Sequence, residues 1–206
     1  MLFRSMKTKA FDTRKLVLLS VLAAILLVLS FTPLGYLNIG PLAISLNMIP
    51  VAIAAVAMGP LEGAILGGVF GITSFLQCLG IGGVSQMGVI LFEISPVLAF
   101  VQRFVPRVLA GLLAGFAYKG VRKLLGHTVA SFVTGFCAAL LNTVLFMLAL
   151  VLLFGNTEYL QGLIAGRNII VFICAFVGIN AVVEMLAATF VVGLVGTALE
   201  KAKLLK

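Results

Sequence analysis

Long apolar runs dominate the chain, and proline, glycine or charged residues interrupt them at only a few places. Between Lys15 and Arg103, a stretch of 87 positions, only Glu62 and Glu93 carry a charge. A helix that crosses a bilayer needs about 20 mostly apolar residues. The pattern therefore predicts six membrane-spanning helices, which we place at about residues 15–31, 47–58, 60–79, 106–118, 127–154 and 168–199.

The segments between the runs predict how these helices are connected. Thr32-Pro33-Leu34-Gly35 ends the first run, since proline and glycine interrupt helices. Residues 37–46 predict a loop that folds back into the protein, where protein has to cover non-helical backbone. Residues 80–102 predict an irregular region and residues 155–166 a polar loop. The predicted fold is an all-α membrane protein with a single integral domain over residues 1–206.

Composition supports this fold class. Charged residues make up 10% of the chain and hydrophobic residues 63%, whereas about a quarter of the residues of a soluble domain are charged. The basic start followed by an apolar run resembles a signal peptide, but the run is too long and no convincing cleavage site follows it. We therefore expect residues 15–31 to be a retained span.

The basic residues predict the orientation of the chain. Eleven of them form three patches at the ends of apolar runs: Arg4, Lys7, Lys9, Arg14 and Lys15, then Lys119, Arg122 and Lys123, then Lys201, Lys203 and Lys206. With six spans all three patches lie on one side, and only Arg103, Arg107 and Arg167 lie on the other. The positive-inside rule then predicts that both termini are cytoplasmic. The net charge of +8 is explained in this way, without nucleic-acid binding.

Signatures of enzymes and metal sites are missing from the sequence. It contains no GxxxxGK[ST], GxSxG or HExxH motif, so we expect neither nucleotide hydrolysis by this chain nor another catalytic activity. Cys78, Cys137 and Cys174 are widely spaced in apolar segments and predict small interior side chains, with neither a disulfide framework nor a zinc site. No cofactor is implied. His127 is expected at a membrane interface.

Glycines recur every four residues along the third run, at Gly59, Gly63, Gly67 and Gly71. This spacing puts small residues on one helix face, where a neighbouring backbone can approach closely. The pattern favours tight helix packing over the alternative, a sliding or pore-lining surface.

Three polar residues lie deep in the apolar runs. Glu184 follows Asn180 by one helical turn in the sixth run, and Asn142 lies midway along the fifth. A charged residue near the membrane centre costs about 2.5–3.5 kcal/mol on insertion scales unless it is paired. The three residues predict a binding site, and the alternative is a structural hydrogen bond between helices. Gln77, Gln86 and Glu93 either complete a polar pocket or face water.

Arg103 and Arg107 flank Pro106 at the predicted start of the fourth span, one helical turn apart. Two guanidinium groups on one face suit a carboxylate or a phosphate. The alternative is that both side chains extend to lipid headgroups.

Together these features resemble the substrate-binding S components of energy-coupling factor (ECF) vitamin transporters. The resemblance rests on the size, the six spans, the break at Thr32-Pro33-Leu34-Gly35, Met58-Gly59-Pro60 before a glycine-rich span, and Pro106-Arg107 leading to Gly111, Gly115 and Tyr118. Asn142-Thr143 and Asn180-Ala181-Val182-Val183-Glu184 complete it. Among members of the family, the pattern looks most like the pantothenate type.

The resemblance implies that the protein binds a vitamin outside the cell, with pantothenate the best candidate. It would then dock on a membrane T component that carries two cytoplasmic ATPases, in the plasma membrane of a prokaryote. Family members dock through an Ala-xxx-Ala pattern on the first span. The closest match here is Ser20-Val21-Leu22-Ala23-Ala24, with Ser20 in place of the first alanine, so Ser20, Ala23 and Ala24 are the expected docking residues.

The expected substrate site combines the polar residues with two positions on the second and third spans. Its residues are Asn142, Asn180, Glu184, Arg103, Arg107, Phe75 and Asn47. Asn47-Met48-Ile49-Pro50 departs from many relatives, which have histidine before Ile-Pro. Two alternatives remain: an S component for another vitamin such as riboflavin, and a self-contained carrier that uses Glu184 for proton coupling. The sequence lacks the paired halves with matching broken helices that are usual in such carriers.

Overall fold

A computed structural model describes residues 13–38, 43–166 and 168–202. The described chain is almost entirely helical. Its helices and strands are α1 (Thr13–Phe31), β1 (Tyr36–Asn38), β2 (Ala43–Ser45), α2 (Met48–Ala57), α3 (Pro60–Leu76), α4 (Gln86–Ile94), α5 (Pro96–Phe154), α6 (Glu158–Ile164) and α7 (Ile169–Lys201). Short 3₁₀ turns at Pro33–Gly35 and Gln77–Leu79 follow α1 and α3.

Two glycines interrupt the longest helices. Gly126 in α5 has φ 80° and ψ 178°, and Gly178 in α7 has φ 26° and ψ −120°, conformations that favour glycine because it has no Cβ. A straight helix of 59 residues would be about 90 Å long, roughly three times the thickness of the bilayer core. The break at Gly126 instead divides α5 into a first arm (96–125) and a second arm (127–154).

The helices coincide with the apolar runs of the sequence. In the described chain, four helical stretches are long and apolar enough to cross a membrane: Thr13–Phe31, Pro60–Leu79, Pro96–Phe154 and Asn180–Lys201. Met48–Ala57 is a shorter apolar helix. The stretch Pro96–Phe154 contains both arms of α5 and therefore accounts for two of the predicted runs. Together with the other three stretches and Met48–Ala57, each of the six predicted runs contains helix.

Two connecting segments differ from the prediction. The region expected to be irregular contains α4 and the beginning of α5, and the expected polar loop contains α6. Helix caps explain the new helices, since the side chains of Ser85, Ser95 and Thr157 each accept a hydrogen bond from the first turn that follows. The helix of the fourth span therefore begins ten residues earlier than predicted, and Pro106 lies inside it.

The described part of the segment over residues 37–46, which leaves out residues 39–42, is non-helical, as expected, but it contributes to a small antiparallel hairpin. Tyr36 pairs with Ser45 and Asn38 with Ala43 in its two strands. The fold is therefore not strictly all-α. This hairpin connects α1 to α2 at the end of the bundle that contains the site described below.

Glycines bring α3 and the first arm of α5 into direct backbone contact. A Cβ built on Gly63 would lie 2.5 Å from the carbonyl oxygen of Gly111, and one built on Gly67 would overlap the carbonyl oxygen of Arg107. The second arm of α5 packs on α7 in a similar way, with Gly135 against the backbone of Ala188. The glycine pattern thus serves tight helix packing, which was the favoured interpretation of the sequence.

This packing yields a prediction for two neighbouring glycines. Gly67→Ala should lower the free energy of unfolding by about 1–3 kcal/mol, because its methyl group has to push α5 away. Gly68→Ala is the matched control, since its methyl group would lie 3.5 Å from the Phe104 ring, an ordinary contact. Both variants gain the same helix propensity. Thermal unfolding in detergent measures the difference, and equal stability of the two variants would contradict the packing described.

Candidate functional site

A cavity of about 760 Å³ opens at one end of the helix bundle. Volumes of about 300–1,000 Å³ are usual for small-molecule sites. Its wall is formed by the C-terminal ends of α1 and α3, the segment 82–87, both arms of α5, and α7 around Asn180. Its polar lining residues are Thr32, Ser45, Ser74, Gln77, Ser85, Gln86, Arg103, Arg107, Asn142, Thr143, Asn180 and Glu184.

Arg103 is buried in the first arm of α5, where its guanidinium group lines the cavity. One terminal nitrogen, Nη2, donates to the Ser85 hydroxyl at 3.1 Å, and Nη1 donates to the Ser74 hydroxyl at 3.5 Å. The group also lies 5.3 Å from the centre of the Phe146 ring. Arg103 therefore connects α5 to α3 and to the beginning of α4.

Arg107 lies one turn further along the same helix and is equally buried. Its guanidinium carbon is 4.5 Å from the centre of the Phe70 ring and 5.2 Å from that of Phe146, so it makes cation–π contacts with both. Its Nη1 donates to the carbonyl oxygen of Arg103 at 2.6 Å. Both arginines are buried and line the cavity, which favours the anion-binding interpretation over extension to lipid headgroups.

The three deep polar residues line the same cavity. Asn142 is 8% exposed, and its Oδ1 has no hydrogen-bond partner among the described residues. Glu184 accepts a hydrogen bond from the backbone N–H of Ser45 at 2.5 Å, which ties the hairpin to α7. The Glu184 carboxylate also interacts electrostatically with Arg107. Glu184 thus has a structural contact in addition to its place in the cavity wall.

Two residues of the expected substrate site do not belong to the described lining of this cavity. Phe75 packs instead against Phe92 and Phe100, with ring centroids 5.9 and 5.2 Å away. Asn47 is fully buried, and its Oδ1 accepts a hydrogen bond from Ser30 at 3.4 Å. The aromatic residues that do line the cavity on α3 and α5 are Phe70 and Phe146.

Sequence reasoning missed Phe70, Phe146, Ser74 and Ser85. For Phe146 and Ser74 the helical spacing contains a weak signal of a shared face. Phe146 follows Asn142 by one turn, and Ser74 follows Phe70 by one turn. Gln77 and Gln86 line the cavity, which agrees with the interpretation that they complete a polar pocket.

The expected docking residues lie on α1, away from the cavity lining. Ser20 and Ala24 are exposed and Ala23 is half-buried. The Ser20 hydroxyl donates to the carbonyl oxygen of Leu16 at 2.9 Å, so its hydrogen bond is satisfied within the helix. From Leu16 onward the other exposed residues of α1 are apolar and include Leu16, Val17, Val21, Ile25 and Val28.

Among the described residues, no group of three His, Cys, Asp or Glu side chains could hold a metal ion. All three cysteines are free thiols. Cys78 is buried and Cys137 half-buried, but Cys174 is exposed, so the expectation that all three are interior is wrong for Cys174.

Comparison with known proteins agrees with the architecture. Residues 14–196 match the family described as ECF transporter, substrate-specific component. The chain is 30% identical over 195 residues to the pantothenate transporter PanT of Leuconostoc mesenteroides subsp. mesenteroides, covering 91% of this chain and 92% of the relative. It is 28% identical over 213 residues to the pantothenic acid transporter PanT of Lactococcus lactis subsp. cremoris, covering 96% and 97%.

Among solved structures, ThiT from Listeria monocytogenes has the same fold. It superposes with a TM-score of 0.63 and covers 94% of this chain and 98% of its own. The two sequences are 18% identical, so this likeness concerns the fold alone.

Proposed function

Since this chain belongs to the substrate-specific components of ECF transporters, we propose that it binds pantothenate outside the cell for import. The observation that carries the choice of substrate is the charge of the cavity. Two buried arginines and one carboxylate line it, which leaves one more positive than negative formal charge. A buried charge is tolerated only when it is paired, so this lining favours a ligand with a single negative charge.

The other groups of pantothenate also find suitable partners. Pantothenate has hydroxyl groups and an amide beside its carboxylate. Among the described residues the Oδ1 of Asn142 has no partner, so it is available to accept a hydrogen bond from such a donor. Asn180 on α7 is an amide of the same kind that lines the same cavity. Two relatives that cover nearly the whole chain are named as pantothenate transporters.

The proposal includes six membrane spans with both termini in the cytoplasm of a prokaryotic cell. The described basic residues of the three patches gather at one end of the bundle, where Lys15 pairs with Glu62 at 3.2 Å and Tyr118 meets His127. The cavity lies at the other end, and the positive-inside rule makes this the outer end. Arg4, Lys7, Lys9, Arg167, Lys203 and Lys206 lie outside the described residues.

Release into the cell requires partners that supply energy. We propose that the protein docks through Ser20, Ala23 and Ala24 on an ECF T component, which carries two ATPase subunits. Support comes from the exposed position of Ser20 and Ala24 on a face of α1 that has only apolar neighbours. Small residues on such a face allow another helix to approach closely within the lipid.

Mass spectrometry of small molecules that co-purify with the protein tests the substrate. We expect pantothenate in wild-type preparations from cells grown with the vitamin. Preparations of the Asn142→Ala variant, made in parallel, should contain less of it. A neutral vitamin such as riboflavin in place of pantothenate would contradict the proposed substrate while leaving the family unaffected.

A further inference from the structure

Arg103 and Arg107 are one turn apart on the same face of α5, but their surroundings differ. Both terminal nitrogens of Arg103 donate to serine hydroxyls, one on α3 and one at the beginning of α4. Arg107 instead lies against two aromatic rings and interacts electrostatically with Glu184. The same residue type therefore has two different sets of contacts in one wall.

The contact between Arg103 and Ser85 is part of the N-terminal cap of α4. The Ser85 hydroxyl accepts from the backbone N–H of Gly88 at 3.2 Å and from Nη2 of Arg103 at 3.1 Å. A Cβ on Gly88 would lie 3.0 Å from the same Nη2 and 2.7 Å from the sulfur of Cys78. The guanidinium group is thus packed directly on the first turn of α4, with no space between them.

The first turn of α4 is itself part of the cavity wall. Gln86 and Met87 line the cavity immediately after the cap residue. The preceding residues Gly80, Gly82 and Gly83 all have positive φ, so the chain before the cap contains conformations that favour glycine. A side chain that holds Ser85 therefore determines where the wall formed by Gln86 and Met87 lies.

We propose that Arg103 is a positioning residue that anchors the beginning of α4, and that discrimination for the carboxylate of the substrate comes mainly from Arg107. The role of Arg107 in discrimination rests on the proposed function, whereas the anchoring of α4 by Arg103 does not. Arg107 suits the direct role because its guanidinium group lines the cavity against the Phe70 and Phe146 rings, whereas both terminal nitrogens of Arg103 donate to serine hydroxyls that fix the wall. The two rings lie against its guanidinium group, and such contacts orient a cation while it keeps its positive charge.

The matched variants Arg103→Gln and Arg107→Gln, together with Ser85→Ala, separate the two roles. The first readout is hydrogen exchange of the ligand-free protein over residues 83–90, which reports local opening of the chain. Exchange should become about 2- to 12-fold faster in Arg103→Gln, which loses the hydrogen bond to Ser85. It should become faster still in Ser85→Ala, which also loses the capping bond from the Gly88 N–H. Exchange should be unchanged in Arg107→Gln.

The second readout is the ratio of the affinities for pantothenate and for pantothenol, the alcohol without the charge. Ser85→Ala should weaken both ligands to a similar extent and leave this ratio unchanged. Arg107→Gln should lower the ratio by about 12- to 150-fold, the usual effect of a lost charged hydrogen bond. Arg103→Gln should lower the affinity ratio much less. In the exchange measurement, adding Arg103→Gln to Ser85→Ala should have little further effect, because the two side chains act through one contact.

The proposal is overturned if Arg103→Gln removes the preference for pantothenate while exchange over residues 83–90 stays at the wild-type rate. Should Arg103→Gln not fold, Arg103→Lys takes its place, because lysine keeps the charge and leaves the Ser85 cap intact but has a single nitrogen for the two serine hydroxyls; faster exchange over residues 83–90 is then expected, and the wild-type rate would overturn the anchoring. If the wild type binds neither compound, the proposed substrate is wrong, and the exchange measurement still decides whether Arg103 anchors α4.

Discussion

Replacing Asn142 by alanine should weaken the binding of pantothenate by about 5- to 150-fold, which corresponds to about 1–3 kcal/mol. The side chain lines the cavity, and its Oδ1 is buried without a partner among the described residues. A ligand that donates a hydrogen bond to this oxygen would lose its own partner in the variant. Isothermal titration calorimetry on the purified protein measures the loss directly.

The same substitution should not destabilise the ligand-free protein through this oxygen, because Oδ1 accepts no bond within the described chain. This expectation separates a binding role from the alternative, a hydrogen bond that holds helices together. Thr134→Ala is the matched control: Thr134 is fully buried in the same arm of α5, outside the cavity lining, and donates to its own helix at 2.7 Å. An Asn142→Ala protein with reduced stability and normal affinity would show a structural role.

Replacing Ala24 by leucine should abolish assembly with the T component and leave the affinity for pantothenate unchanged. Ala24 is exposed on α1 and does not line the cavity. In lipid, helices associate through close packing of small residues, and a leucine at such a position keeps the backbones apart. Pull-down of the T component and the ATPases with the tagged variant measures the assembly.

Ala24→Ser is the size-preserving control, and it should assemble as well as the wild type. A complete transporter recovered with Ala24→Leu at the wild-type yield would mean that the docking surface lies on another helix. Loss of pantothenate binding in the same variant would instead indicate that α1 is displaced from the bundle.

The long helices were predictable from the sequence because a bilayer demands long apolar runs, and these leave an unmistakable pattern. The short helices α4 and α6 were not predicted. They have nine and seven residues, and their main signals are single capping side chains, Ser85 and Thr157, next to segments rich in glycine or polar residues. The hairpin was expected only as non-helical chain, since pairing of its strands depends on contacts that the sequence pattern does not contain.

The polar part of the site was predictable for a related reason. Arginine, asparagine and glutamate are costly in a membrane, so their presence at Arg107, Asn142 and Glu184 points to a site. Aromatic residues in an apolar run carry no such signal, so Phe75 was expected in the site and Phe70 was not. Phe75 follows Phe70 by five positions, and this offset places the two side chains about 140° apart around the helix.

The function of an individual arginine could not be predicted from spacing. Residues one turn apart share a face, and the sequence therefore gives Arg103 and Arg107 the same expected role. The difference arises from Ser85, which approaches Arg103 only after the chain turns between α3 and α4. Such tertiary contacts decide what a buried charge does.

Calorimetric titration of the wild-type protein with pantothenate, pantothenol and riboflavin tests the central claim most directly. Arginine stays protonated at any working pH, so the attraction for a carboxylate should persist across the neutral range. We expect pantothenate to bind more tightly than pantothenol by about 12- to 150-fold, and riboflavin to bind more weakly than pantothenate. Equal affinity for pantothenate and pantothenol, or tighter binding of riboflavin than of either, would contradict the account.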